Sequence, residues 1–134
     1  TRYIGVTGVQ TCALPIWADM KKNEKLIIME RYDEFFEYTY PIIQSIPRKH
    51  GIFKNLILEQ IIGMDKHIYK VVKSNQVSKL YELDIELDVL RHRLRLCTHS
   101  RRRFITNEQH LNLSLKLNVV GKIIGSMITN KNNG

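Results

Sequence analysis

The sequence predicts an all-α protein, an antiparallel up-down four-helix bundle. Three observations predict it. Apolar residues recur at steps of three and four in successive stretches, each long enough for a helix of about 20 residues. The stretches are separated by short polar segments carrying turn and capping residues. No segment supplies a clear partner for a strand. Short connections make an antiparallel bundle the economical arrangement of four such helices.

The first stripe begins after Leu26 and runs Ile28, Tyr32, Phe35, Thr39, Ile42 and Ile46. Pro41 lies inside it, where a missing N–H and a crowded preceding turn favour a kink. Pro47 and Gly51 bracket a turn, Pro-Arg-Lys-His-Gly. The second stripe is Phe53, Ile57, Ile61, Met64, Ile68 and Val71. Lys70 and Lys73 fall in its last turn, where cations suit the helix dipole. Gly63 costs this helix about 1 kcal/mol relative to alanine, which a close helix crossing would explain. Ser74 or Asn75 is expected to cap the third helix.

The third stripe is Leu80, Leu83, Leu87, Leu90, Leu94 and Cys97. Glu82, Asp84, Glu86 and Asp88 crowd its first half and Arg91, Arg93 and Arg95 its second, the order the macrodipole favours. A polar connector from Thr98 to Ile105 contains Arg101, Arg102 and Arg103. Thr106 and Gln109 have capping-box spacing and open the fourth helix. Its pattern reads two ways. Leu111, Leu113, Leu115, Leu117 and Val119 alternate like a strand, whereas Leu113, Leu117, Val120, Ile124 and Met127 form a helical seam. Three preceding helices and no partner strand decide for the helix. Asn130 to Gly134 are expected to fray.

The N-terminus has neither period. Val6 to Ile16 resembles the translation of a common sequencing-library adapter, so residues 1–19 are expected to be a non-native or disordered tail. The native start is then Met20 or lies upstream. The bundle is expected over 20–130 and a disordered C-terminus over 131–134.

A net charge of +8 over 134 residues predicts an anionic partner: nucleic acid, an anionic surface or an acidic protein. The two cysteines, Cys12 and Cys97, argue against a disulfide framework and for a reducing compartment, the cytoplasm. No continuous apolar run is long enough to span a bilayer, so no membrane is expected. No catalytic constellation, metal set or phosphate loop is found, and no cofactor is expected. Asp88, His92 and His99 read as surface charge rather than metal ligands. Cys97, on the apolar stripe, reads as a buried structural thiol. Gly121 and Gly125 read as small residues permitting close helix packing. The positive signal is basic: residues 89–107 hold six arginines and two histidines and no acid. Arg91 and Arg95 stand one turn apart, and the arginine fork suits phosphate or carboxylate.

Long ordered strings then point to a family. Tyr38-Thr-Tyr-Pro-Ile-Ile-Gln-Ser-Ile-Pro-Arg-Lys-His-Gly51, Lys73-Ser-Asn-Gln-Val-Ser-Lys-Leu-Tyr81 and Val120-Gly-Lys-Ile-Ile-Gly-Ser126 resemble the accessory variability determinants of diversity-generating retroelements. The similarity spans about residues 26–128. Met127 stands where that family's pattern has tryptophan, and Arg101–Arg103 fall in a connector that varies. The resemblance implies a homopentameric barrel of four-helix bundles with a basic exterior. It implies two partners, the reverse transcriptase of the same retroelement and its template-repeat RNA or cDNA. The role it implies is non-enzymatic support of mutagenic cDNA synthesis and retrohoming. On this reading Arg48, Lys49, Arg91, Arg95, Arg101, Arg102 and Arg103 contact the enzyme or the RNA. The alternative is an RNA-binding bundle of the type encoded in intervening sequences of ribosomal RNA genes.

Overall fold

The computed structural model describes residues 16–74 and 76–133, with side chains described for 27–74 and 76–131. The expected adapter-derived segment before residue 16, Asn75 as a cap, and Gly134 lie outside the described residues. Four helices follow in order: α1 (Ile16–Gln44), α2 (Gly51–Lys73), α3 (Val77–Leu96) and α4 (Asn107–Asn133). A single 3₁₀ turn, Arg48–His50, leads into α2. No strand occurs among the described residues, and α1 and α3 each pack against both α2 and α4. That is the up-down square bundle the periodicity predicts. Its topology places the α1–α2 and α3–α4 connectors at one end and the α2–α3 connector at the other.

The stripes converge as the core. Phe35, Ile57, Ile61, Leu83, Leu87, Leu90, Val120 and Ile124 are fully buried. Full burial of such side chains contributes about 1.5–3 kcal/mol each. The fourth stripe resolves cleanly as helix. Leu113, Leu117, Val120, Ile124 and Met127 are buried, while Leu111, Leu115 and Val119 are exposed. Thr39 is buried with the core, and its hydroxyl has no hydrogen-bond partner in the structure. The Tyr32 hydroxyl, by contrast, donates to the Ile61 carbonyl and ties α1 to α2.

Several details differ from expectation. In α1 the core position is Ile43, and Ile42 is only partly buried against it. The stripe steps four then three after Thr39 rather than three then four, a phase that packing decides because both neighbours are isoleucine. Phe53 likewise packs at the margin of the core. The helix passes through Pro41 and ends three residues later at Gln44. The N-cap of α3 is Gln76, without a side-chain cap. Ser74 instead ends α2, its N–H bonded to the Lys70 carbonyl, and its hydroxyl accepts the Gln76 N–H at 3.1 Å. A Cβ placed on Gly63 or Gly125 would touch nothing within 4 Å, so neither glycine marks a close helix crossing.

The Thr106 capping box forms reciprocally. The Gln109 N–H donates to the Thr106 hydroxyl, and the Thr106 N–H to the Gln109 side-chain carbonyl, both at 3.0 Å. Helix α4 includes Asn107–Lys131, the one described stretch that by length and mean hydropathy could cross a membrane, although polar and charged residues interrupt it and no continuous apolar run occurs. Five of its apolar side chains are instead spent on the bundle core, at positions 113, 117, 120, 124 and 127.

Candidate nucleic-acid interface

The shared end of the bundle gathers the basic connectors. The 3₁₀ turn presents Arg48 and Lys49 to solvent, and the α3–α4 connector presents Arg101 and Arg103. The two segments touch: the His50 and Phe104 rings lie 4.7 Å apart, and Phe53 and Phe104 6.0 Å apart. None of the ion pairs found among the described residues involves Arg48, Lys49, Arg101, Arg102 or Arg103. Lys54, in the first turn of α2, adds to this surface. The sequence reading passed over it, although residues 38–58 are as free of acids as residues 89–107.

The connector that displays these cations is well fixed. The Arg102 and Arg103 N–H groups donate to the His99 carbonyl at 2.8 and 2.7 Å, and the Phe104 N–H to the Cys97 carbonyl at 2.9 Å. Ile105 is fully buried and anchors it. Arg102 is the exception among its neighbours: its Nε donates at 3.1 Å to the Leu96 carbonyl at the end of α3, which also accepts the His99 N–H at 3.4 Å. It therefore has a structural duty that Arg101 and Arg103 do not.

Further along α3 the three arginines part company. Arg93 turns toward α2 and donates to the Gln60 side-chain carbonyl at 2.8 Å, while the Gln60 amide donates to the Glu86 carbonyl. Arg91 and Arg95 share the opposite flank, facing α4, as their spacing predicts. Arg91 is only partly exposed and pairs with Asp88 at 2.8 Å. Its guanidinium fills the space beside Gly121 that a Cβ would take, so this glycine, unlike Gly63 and Gly125, does permit a close approach. Arg95 is exposed, with Nη2 3.3 Å from His92 Nδ1. Asp88 is thus the partner of Arg91 and not of His92, and no group of three His, Cys, Asp or Glu side chains suited to a metal occurs among the described residues. The seven predicted residues form two groups, one on the end face and one on the α3–α4 flank.

Helix dipoles separate the informative cations from the ordinary ones. Arg93 and Arg95 lie in the last turn of α3, where cations are favoured. Arg48, Lys49 and Lys54 surround the first turns of α2, which contain no acid and whose N-cap residue, His50, makes no side-chain cap. Folding stability favours acids at that place. Cations held there against the local field, with no carboxylate, suit a surface that meets an anion.

Cys97 is buried at the end of α3, and burial pushes its thiol up to about 11 against the opposing influence of Arg102. It is a structural thiol, as its place on the stripe predicts, and a poor nucleophile.

Comparison with curated proteins gives no match. The family model described as bAvd-like matches residues 26–131, which takes in α2, α3, most of α1 and α4, both basic connectors and the Arg91–Arg95 flank. The segments that carry the resemblance in the sequence lie within that match, and the family is an accessory, non-catalytic kind of protein. The chain belongs to the bAvd-like family.

Proposed function

We propose that this protein is the accessory subunit of a diversity-generating retroelement, which binds the element's reverse transcriptase and template-repeat RNA and supports mutagenic cDNA synthesis and retrohoming. The observation that carries the reading is the end face where two connectors distant in sequence bring Arg48 and Lys49 beside Arg101 and Arg103, none of them in an ion pair among the described residues. Membership in the bAvd-like family supplies the retroelement setting. The accessory protein binds and positions; the chemistry belongs to the polymerase. Its place of action is the cytoplasm.

The subunits assemble as a homopentamer. Exposed apolar stripes support this reading. Ile52 and Leu56 lie on α2, and Leu111, Leu115 and Val119 on α4, at diagonal corners of the bundle. Both stripes lie toward the basic end of the helices that carry them. A patch on one corner that meets a different patch on the next copy gives a heterologous contact, which closes into a ring when the rotation allows. Such a ring gathers the basic ends on one rim and multiplies weak phosphate contacts into avid, salt-sensitive binding.

Pull-down of the cognate reverse transcriptase, with and without template-repeat RNA, tests the proposal alongside light scattering. The protein is expected to scatter as a pentamer and retain both partners. Replacing Arg91 and Arg95 with alanine is expected to cut partner binding sharply and leave melting nearly unchanged, because exposed ion pairs are worth about 0–1 kcal/mol. Lost stability with unchanged binding at matched salt would mean that the arginines serve the bundle alone. Binding to ribosomal RNA without any affinity for the polymerase would favour the intervening-sequence type of protein.

A further inference from the structure

We propose that the cleft between α3 and α4 is a built site for a single phosphate group, held by Arg91 and Arg95 from α3 and by His110, Ser114 and Asn118 from α4. The inference deepens the reading of the protein as a nucleic-acid binder and rests on it for the ligand's biological source.

The cleft encloses about 280 Å³, room for a phosphate and the sugar that carries it. Its floor is apolar, from Leu94, Leu113 and Leu117, and its walls are polar. The spacing of the α4 residues explains the wall. His110, Ser114 and Asn118 recur every four residues on the flank that faces α3, beside the buried seam and apart from the exposed stripe of Leu111, Leu115 and Val119. Opposite them Arg91 and Arg95 lie one turn apart. Side-chain donors facing two guanidinium groups form a donor-rich lining suited to an oxyanion. No carboxylate lines this cleft.

Arg91 is held in place before any ligand arrives. Asp88 grips Nη1, and Nη2 rests in the notch at Gly121. The guanidinium has five N–H donors, so one bond to Asp88 leaves others for a ligand. Arg95 has no carboxylate partner among the ion pairs of the described residues and contributes its charge undiminished. The notch gives Gly121 a reason that helix stability does not, since glycine costs a helix interior about 1 kcal/mol relative to alanine.

Two variants separate the site from the bundle. Asn118→Asp adds a negative charge at an exposed wall position while keeping the side chain's shape. Gly121→Ala puts a Cβ where Arg91 rests and displaces the guanidinium, while raising helix propensity. Ser78→Asp, exposed at the other end of the bundle, is the control of equal charge change. Backbone amide shifts of the labelled full chain are followed during titration with inorganic phosphate, and binding of a labelled single-stranded RNA is followed by anisotropy.

The expected result is saturable movement of the His110, Ser114 and Asn118 amides with phosphate or with RNA. Asn118→Asp is expected to weaken the responding ligand about tenfold and Gly121→Ala about fivefold, with Ser78→Asp changing it less than about twofold. Shifts with RNA that excess phosphate does not reverse assign the site to a polynucleotide backbone; shifts with phosphate alone assign it to a free phosphate; both uphold the chemistry. Still amides in the presence of both probes would overturn the proposal. So would an equal response of Asn118→Asp and Ser78→Asp. Phosphate binding with no capture of the reverse transcriptase would leave the site standing and remove the accessory function.

Discussion

At the end of the bundle where α2 runs into α3, Lys70, Lys73 and Lys79 each have an ordinary reason for their place. Lys70 and Lys73 occupy the last turn of α2, and Lys79 pairs with Glu82 at 3.4 Å. Acids are plentiful in this half, with Asp65 in α2 and Glu82 and Asp84 in α3. At the other end Arg48, Lys49 and Lys54 sit where the α2 dipole disfavours them, and Arg101 and Arg103 have no carboxylate. The difference teaches how to read a basic protein. Net charge only says that an anion is expected; cations that folding does not reward say where.

Glutamine substitutions can break this comparison most directly, since they remove charge at little cost in helix propensity. Changing Arg48, Lys49, Arg101 and Arg103 together is expected to weaken single-stranded RNA binding at least about a hundredfold near 0.1 M salt and to flatten its salt dependence by about three units. Thermal stability is expected to hold or rise as repulsion is relieved. Changing Lys66, Lys70, Lys73 and Lys79 instead removes the same charge. That variant is expected to lose less than about fivefold in binding and a little stability, through the dipole and the Glu82 pair. Equal losses from the two variants, measured by anisotropy across a salt series, would reduce the basic end to bulk charge.

A smaller effect sharpens the contrast between the connectors themselves. The α3–α4 connector enters its helix through a reciprocal capping box, whereas the α2–α3 connector enters through Gln76 with no side-chain cap. Thr106→Ala is expected to cost about 1 kcal/mol in urea unfolding, and Gln76→Ala only a few tenths. The RNA affinity of Thr106→Ala reads out whether a fixed connector matters to binding, because the cap lies three residues after Arg103.

Much of this was legible beforehand, for physical reasons that also set the limit. Helical period alone located four helices, and up-down topology follows from short connections, so the meeting of the first and third connectors could be read from the chain. The division of Arg93 from Arg91 and Arg95 also follows from helical geometry. The leucine alternation of α4 was harder, because its outer stripe is as apolar as its inner one and only the presence of a core decides between them. The choice of Ile43 over Ile42 depends on packing between chemically identical neighbours. Lys54 stands outside the arginine-rich stretch, and the signal that marks it is the absence of acids from residues 38–58. The seating of Arg91 at Gly121 depends on the register of α3 against α4, which no local pattern encodes.

The smallest expected effect concerns pH and the joint where α3 meets the basic connector. Cys97 is buried there, its backbone carbonyl accepting the Phe104 and Ile105 N–H groups at 2.9 and 3.3 Å. Burial raises its thiol from 9.0 to about 11. A raised folded-state value means that the folded protein holds the proton more tightly than the unfolded chain. The associated stability is fully present below 9.0 and declines as the pH rises toward about 11, because the unfolded chain ionises first. Burial likewise raises the Tyr32 hydroxyl, so it contributes a decline of the same sign at higher pH. Cys97→Ala removes the thiol's share. Its unfolding free energy is expected to be lower than that of the parent at pH 7, because the change leaves a small cavity, but to fall less steeply between pH 9 and about 11. Parallel urea titrations at closely spaced pH values measure the two slopes. Identical slopes would mean that water reaches the thiol when the bundle is folded, and that the end of α3 opens under the arginines it supports.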